Sequence, residues 1–207
     1  VLQMFDIVPD FDLNIMKDRQ TLTDITINAL KGIEQVLETV KPDLILVHGD
    51  TSTTFSGALA AYYNRTKVGH VEAGLRTYDK YQPFPEEMNR LLTASLSDIN
   101  FAPTSLSKKN LLKENVLENT IFVTGNTAID CLKFTIKENY TFDVDLLNKI
   151  DFKNKKIVSA TAHRRENLGK PLEDICNALL DIVDLDESIE VVYAVHQNPA
   201  VKDIVYR

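Results

Sequence analysis

The chain has 207 residues, 44% hydrophobic and 26% charged, with a formal net charge of −7. That balance excludes a disordered chain, and the negative charge repels nucleic acid and anionic membrane at long range, so an anionic ligand must meet a local cationic cluster. Two cysteines far apart, Cys131 and Cys176, suit a reducing cytosol better than a disulfide framework, and no apolar run approaches the roughly 20 residues that cross a bilayer. No signal peptide is visible, although the chain opens at Val1. A cytoplasmic protein is expected, of one large domain or one and a half ordinary ones.

The pattern alternates helix and strand. Leu22, Ile25, Ala29, Ile33, Val36 and Val40 recur at spacings of three and four and predict a helix over 18–40. Thr21 and Asp24 form a capping-box start, and Pro42 stops the helix. The continuous apolar run 44–47 predicts a strand buried on both faces. A helix rich in small residues follows over 53–64, then a strand over 68–72. Further helices are expected over 86–96, 105–114 and 127–138, with strands over 99–102 and 121–124. The polar stretch 139–153 reads as a loop or domain connection. A strand over 157–160, a helix over 171–183 and a strand over 191–195 come next, and the chain ends in a further helical beginning. This rhythm predicts an α/β fold, a parallel sheet with helices on both faces, whose ligands bind beyond the carboxyl ends of the strands.

Four strand ends carry polar residues that a buried sheet does not need. In HGDTSTT (48–54), Gly49 permits a sharp turn, and Asp50 to Thr53 lead into a helix N-terminus. Capping needs one such residue, and the run has more. The helix end favours an ionised Asp50, a proton acceptor or charge stabiliser. In HVEAGLRT (70–77), Glu72 ends a buried strand, where burial raises a carboxyl pKa unless the group is paired. It is either a general acid or half of a salt bridge to Arg76. PFPEEMNR (83–90) places Glu86 and Glu87 at a helix start, where negative charge suits the dipole. Tyr78 and Tyr81 lie in the loop before it, able to cover a sugar or simply exposed. AHRREN (162–167) holds the densest cationic group, His163, Arg164 and Arg165, at a turn where a phosphate would bind. VHQNP (195–199) puts His196 at the next strand end.

All four histidines, His48, His70, His163 and His196, fall at expected strand ends. None belongs to a HExxH or paired-cysteine pattern, so no zinc site is expected. A GxGxxG fingerprint, a Walker lysine loop and a GxSxG elbow are absent from the sequence.

Six motifs, HGDTSTT, HVEAGLRT, PFPEEMNR, VTGNTAID (123–130), AHRREN and VHQNP, stand in the order and with the spacing of UDP-N-acetylglucosamine 2-epimerases, which the chain resembles over nearly its whole length. The resemblance implies two Rossmann-like domains facing across a cleft, the GT-B architecture. Residues 1–153 would be the first domain without its opening strand, and 154–207 the truncated start of the second, nucleotide-binding one. It implies interconversion of UDP-GlcNAc and UDP-ManNAc through 2-acetamidoglucal, with no metal or nicotinamide cofactor, supplying ManNAc for cell-surface polysaccharide. By match to the family motifs, Asp50, Glu72, Glu86 and His163 would be catalytic, and Asp50, Glu72, His163 and Arg164 would bind substrate. Arg19, Glu86, Arg164 and His196 resemble an allosteric site for a second UDP-GlcNAc, which favours the bacterial, non-hydrolysing class over relatives that release free ManNAc. A homodimer is implied for the full-length protein. Two family segments, a GTRPE turn near the start and a serine-glycine-rich segment near the end, are missing, so the isolated chain is expected to be inactive.

Overall fold

The computed structural model describes residues 2–17, 19–164 and 167–207. The chain falls into two compact units, Val1–Ile136 and Lys137–Arg207. In the first, α1 (Leu22–Val40) opens on the expected capping box: the Thr21 hydroxyl accepts from Asp24 N at 3.1 Å, and the Asp24 carboxylate accepts from Thr21 N at 3.0 Å. The hydrogen bonds from Thr21 hold the Asp24 carboxyl below its usual pKa. Lys41 closes the helix in the left-handed conformation ahead of Pro42. Ala29 and Leu37 are the fully buried positions of α1, while Val40, expected on the apolar face, is exposed.

Then follow β1 (Leu44–His48), α2 (Ser52–Tyr63), β2 (Lys67–Val71), α3 (Glu86–Leu96), β3 (Ile99–Ala102), α4 (Ser105–Lys113), β4 (Ile121–Val123) and α5 (Thr127–Thr135). The four strands pair in parallel in the order β1-β2-β3-β4. Crossovers of one hand that always step the same way leave their helices on one face. Small residues let α2 lie close: Ala58, Ala60 and Ala61 are buried, and a Cβ at Gly57 would come within 3.2 Å of Val47. The helix-covered row across the sheet is Val47, His70, Asn100 and Ile121, register partners that are all buried. One residue on, His48 and Phe122 are exposed and Val71 and Phe101 half-buried, as the alternation of a strand requires.

The second unit holds α6 (Asp145–Asn148), β5 (Lys156–Ala160), α7 (Lys170–Leu185), β6 (Ile189–Tyr193) and α8 (Pro199–Val205), with β5 and β6 parallel. The change of unit at 136–137 comes earlier than the domain boundary expected near Lys153. Residues 139–153 are polar overall, but their aromatics make a small cluster: Tyr140 meets Phe142 edge-on at 5.2 Å, and Phe142 stacks on Phe152 at 6.0 Å. Asn148 ties this loop together by bonding both Phe142 N and Phe142 O. The strand expected over 191–195 begins two residues earlier, at Ile189. Among the described residues, no helix is long and apolar enough to cross a membrane.

Candidate functional site

At the end of β1 the chain turns at Gly49, whose φ of 74° is left-handed and suits glycine. Both backbone polar atoms of Gly49 are pinned to β2. Its N–H donates to Val71 O at 3.0 Å, and its carbonyl lies 2.7 Å from His70 Nε2. Thr51 caps α2 by accepting from Thr54 N, and the Thr54 hydroxyl donates to His48 O. Two members of the polar run are thereby used in the turn itself, and Asp50 is left facing other elements. Its carbonyl accepts from Asn89 Nδ2 at 2.9 Å, and its carboxylate pairs with Arg90 Nη2.

Glu72 follows β2 with a φ of 66°, a conformation that costs a non-glycine residue free energy and recurs at functional sites. Arg90 Nη2 lies 3.2 Å from Glu72 Oε1, and Arg90 Nη1 donates to Glu72 O. The Arg90 side chain is 5% exposed, while Asp50 and Glu72 keep 30% and 22% exposure. One buried guanidinium therefore joins two carboxylates that both reach solvent. Asn126, which caps α5, donates to Glu72 Oε2 at 3.3 Å. His48 Nε2 stands 3.8 Å from the same oxygen and 3.3 Å from the Thr127 hydroxyl. The ends of β1, β2 and β4 and one face of α3 thus build a single site.

The salt bridge open to Glu72 is made by Arg90. Arg76 instead forms a two-point pair with Glu114, both contacts at 2.7 Å. Glu87 is buried and structural: its carboxylate accepts from Thr77 N and Tyr78 N and holds the loop before α3. Glu86 lies three and four residues ahead of Asn89 and Arg90, hence on the helix face that carries them to Asp50. Tyr78 is tied to Asn110, whereas the Tyr81 ring is exposed beside Phe84. Arg19 sits in the turn before α1.

Sequence reasoning missed Arg90 and the role of His70. Arg90 closes PFPEEMNR, and its neighbours one helical turn away, Glu86, Glu87, Thr93 and Ala94, are mostly polar, so no apolar stripe marked the position as buried. His70 is fully buried, and burial chiefly lowers its pKa to about 4, the charges of Arg90 and Arg76 adding to the effect.

In the second unit, His163 and His196 follow β5 and β6, and their rings stack at 4.6 Å and 25°. His196 Nδ1 accepts from Asn198 N at 3.1 Å. Tyr193 OH bonds both backbone polar atoms of Ala162, fixing the approach to His163 and Arg164. Arg165 lies outside the described residues. Asp50, Glu72 and Glu86 therefore gather in one unit, and His163, Arg164 and His196 belong to the other.

The profile described as UDP-N-acetylglucosamine 2-epimerase matches residues 1–207. The chain belongs to that family. The UDP-N-acetylglucosamine 2-epimerase of Bacillus subtilis is 53% identical over 207 residues, covering 100% of this chain and 53% of its own length. Among solved structures, the Neisseria meningitidis UDP-GlcNAc 2-epimerase bound to UDP-GlcNAc aligns with a TM-score of 0.90 at 44% identity, over 99% of this chain and 56% of its own. The S. aureus MnaA–UDP structure aligns at 0.89 and 47%, over 98% and 53%. The chain spans about half the length of the curated relatives it matches, and its fold is the Rossmann-like α/β type of these GT-B epimerases.

Proposed function

We propose that the protein carrying this epimerase-family chain interconverts UDP-GlcNAc and UDP-ManNAc. The observation that supports this most is the Asp50–Arg90–Glu72 arrangement, two solvent-reaching carboxylates on one buried cation at neighbouring strand ends. Inverting a carbon next to the anomeric centre needs a base on one face and an acid on the other. One carboxylate takes the C2 proton, the C2 electron pair forms the C1=C2 bond, and the C1–O bond breaks to release UDP. UDP then adds back to the glycal, and a proton reaches C2 from the opposite face. A proton taken up by one carboxylate leaves the guanidinium to the other, which suits two acids exchanging roles through the cycle. Glu86 is the third proton carrier. His163 and Arg164 supply hydrogen-bond donors, the arginine also a positive charge, for the diphosphate charge that develops as UDP leaves. Arg19, Glu86, Arg164 and His196 serve a second, activating UDP-GlcNAc.

Turnover in deuterium oxide tests this reading in the full reading frame. Label should enter C2 of both UDP-sugars. Epimerisation without label would point to redox chemistry elsewhere on the sugar. Release of free ManNAc with UDP would assign the protein to the hydrolysing type, and binding without turnover would leave a UDP-sugar-binding module.

A further inference from the structure

The buried row of the first sheet has two polar residues at its centre. His70 and Asn100 are register partners on β2 and β3, share a face and are both fully buried. His70 Nδ1, Asn100 Nδ2 and Asn100 Oδ1 have no hydrogen-bond partner. An orphaned buried polar atom costs about 1–3 kcal/mol, so two such groups side by side in one row call for an explanation.

The His70 contact supplies one. A carbonyl oxygen carries no hydrogen, so the 2.7 Å contact with Gly49 O requires the hydrogen to be on His70 Nε2. Burial and two arginines keep the ring neutral at ordinary pH. A neutral ring with Nε2–H presents Nδ1 as an acceptor, and that acceptor needs a donor. As placed, the two side chains do not bond each other, but adjacent strands lie about 4.8 Å apart, so a change of the Asn100 side-chain rotamer brings the carboxamide of this same-face register partner to Nδ1.

We propose that His70 and Asn100 form a positioning pair: the Asn100 carboxamide donates to Nδ1, holds the ring with its Nε2 hydrogen toward Gly49 O, and so fixes the turn that presents Asp50. The opposite tautomer would set two acceptors, Nε2 and the Gly49 carbonyl, against each other and release the turn. Asp50 would then move relative to Arg90, and a displacement of about 1 Å can cost a reaction up to about 100-fold. His70 touches neither substrate nor the reacting atoms; it acts through the backbone of the HGD turn. The kinetic consequence rests on the epimerase reading, while the tautomer does not.

Long-range proton–nitrogen correlation spectra of the ¹⁵N-labelled chain test the pair. With four histidines, the His70 signals are assigned by their loss in His70→Gln. His70 should be neutral with Nε2 protonated at pH 7, and Asn100→Leu should move its Nδ1 resonance toward that of an unbonded nitrogen. Asn100→Ala carries the same expectation with less steric demand. Protonation on Nδ1, or an Nδ1 resonance indifferent to both Asn100 variants, overturns the pair. In the full reading frame, Asn100→Leu should lower kcat about tenfold with KM within about twofold. His70→Gln, whose amide can still donate to Gly49 O, should keep more turnover than His70→Met. Equal losses in the two His70 variants would overturn the positioning role. A wild-type protein with no C2 exchange would defeat the epimerase reading and leave the pair to be decided by the spectra.

Discussion

Asp50 and Glu72 project from turns whose backbone is held on several sides. Gly49 is bonded through both of its polar backbone atoms, Asp50 O is held by Asn89, and Glu72 O by Arg90. His163 and His196 are exposed, beyond a two-stranded sheet in a unit whose only fully buried apolar side chains among the described residues are Leu172 and Val201, both on helices. In the first unit the residues that would do chemistry share partners with the core. In the second they stand on a framework that does not depend on them. Loss of the shared cation should therefore damage stability and function together in the first unit, whereas in the second a site residue can be removed with the fold intact.

Arg90→Met should break the first unit hardest. It keeps much of the stem but leaves Asp50 and Glu72 facing each other without their cation. Removing one partner of a buried ion pair costs about 3–5 kcal/mol, and the partial exposure of both carboxylates argues for the low end. About 3 kcal/mol corresponds to about 10 °C in the melting of this unit, measurable by calorimetry. A shift of only a degree or two would show that the guanidinium is not structurally required.

Titration of His70 should weaken the same unit from pH 6.5 downward. Its folded pKa is about 4, below the unfolded value of 6.5, so the unfolded chain binds the extra proton first. Stability is therefore full above about pH 6.5 and is lost as the pH falls through 4, by about 3 kcal/mol in all. Urea unfolding at pH 7 and pH 4.5 should show this slope in the wild type and lose it in His70→Gln. An unchanged slope would place the titrating group elsewhere.

Asp50→Asn and Glu72→Gln should separate the two effects. Each variant leaves Arg90 one carboxylate, so the fold should hold, while kcat in the full reading frame should fall about 100-fold or more. Near-normal turnover in either variant would remove that residue from the mechanism.

The fold was legible where its causes are local. The period of α1, its Thr21–Asp24 cap, and the strands from Leu44 to Val123 follow from spacing and from proline, and they stand in the structure within a few residues. Asp50 and Glu72 were legible as polar residues where a buried sheet should have ended quietly. Their cation was not. Arg90 is 40 residues from Asp50 and 18 from Glu72, and no periodicity links them. The same holds for Arg76, which neighbours Glu72 in sequence yet pairs with Glu114, 38 residues away. His70 read as one more strand-end histidine because the register that buries it beside Asn100 is a property of the sheet. The cluster within 139–153 was hidden by averaging, since three aromatic rings can gather in a segment whose composition is polar.

His196→Ala should have the smallest effect on stability. The substitution removes one ring contact with His163 and one hydrogen bond from Asn198 N, both at exposed positions. The cap of α8 survives, because Asn198 Oδ1 still accepts from Ala200 N at 3.0 Å. An exposed contact of this kind contributes about 0.5–1 kcal/mol, within reach of a careful denaturant titration. The functional loss should be larger in proportion. Without its stacking partner the His163 ring gains rotamers, and ordering it on a diphosphate then costs more entropy. UDP affinity in the full reading frame, read by calorimetry, should therefore weaken by about three- to tenfold, with Tm nearly unchanged. A stability loss as large as that of Arg90→Met would erase the contrast between the units, since the second would then also depend for its fold on the residues assigned to its ligand.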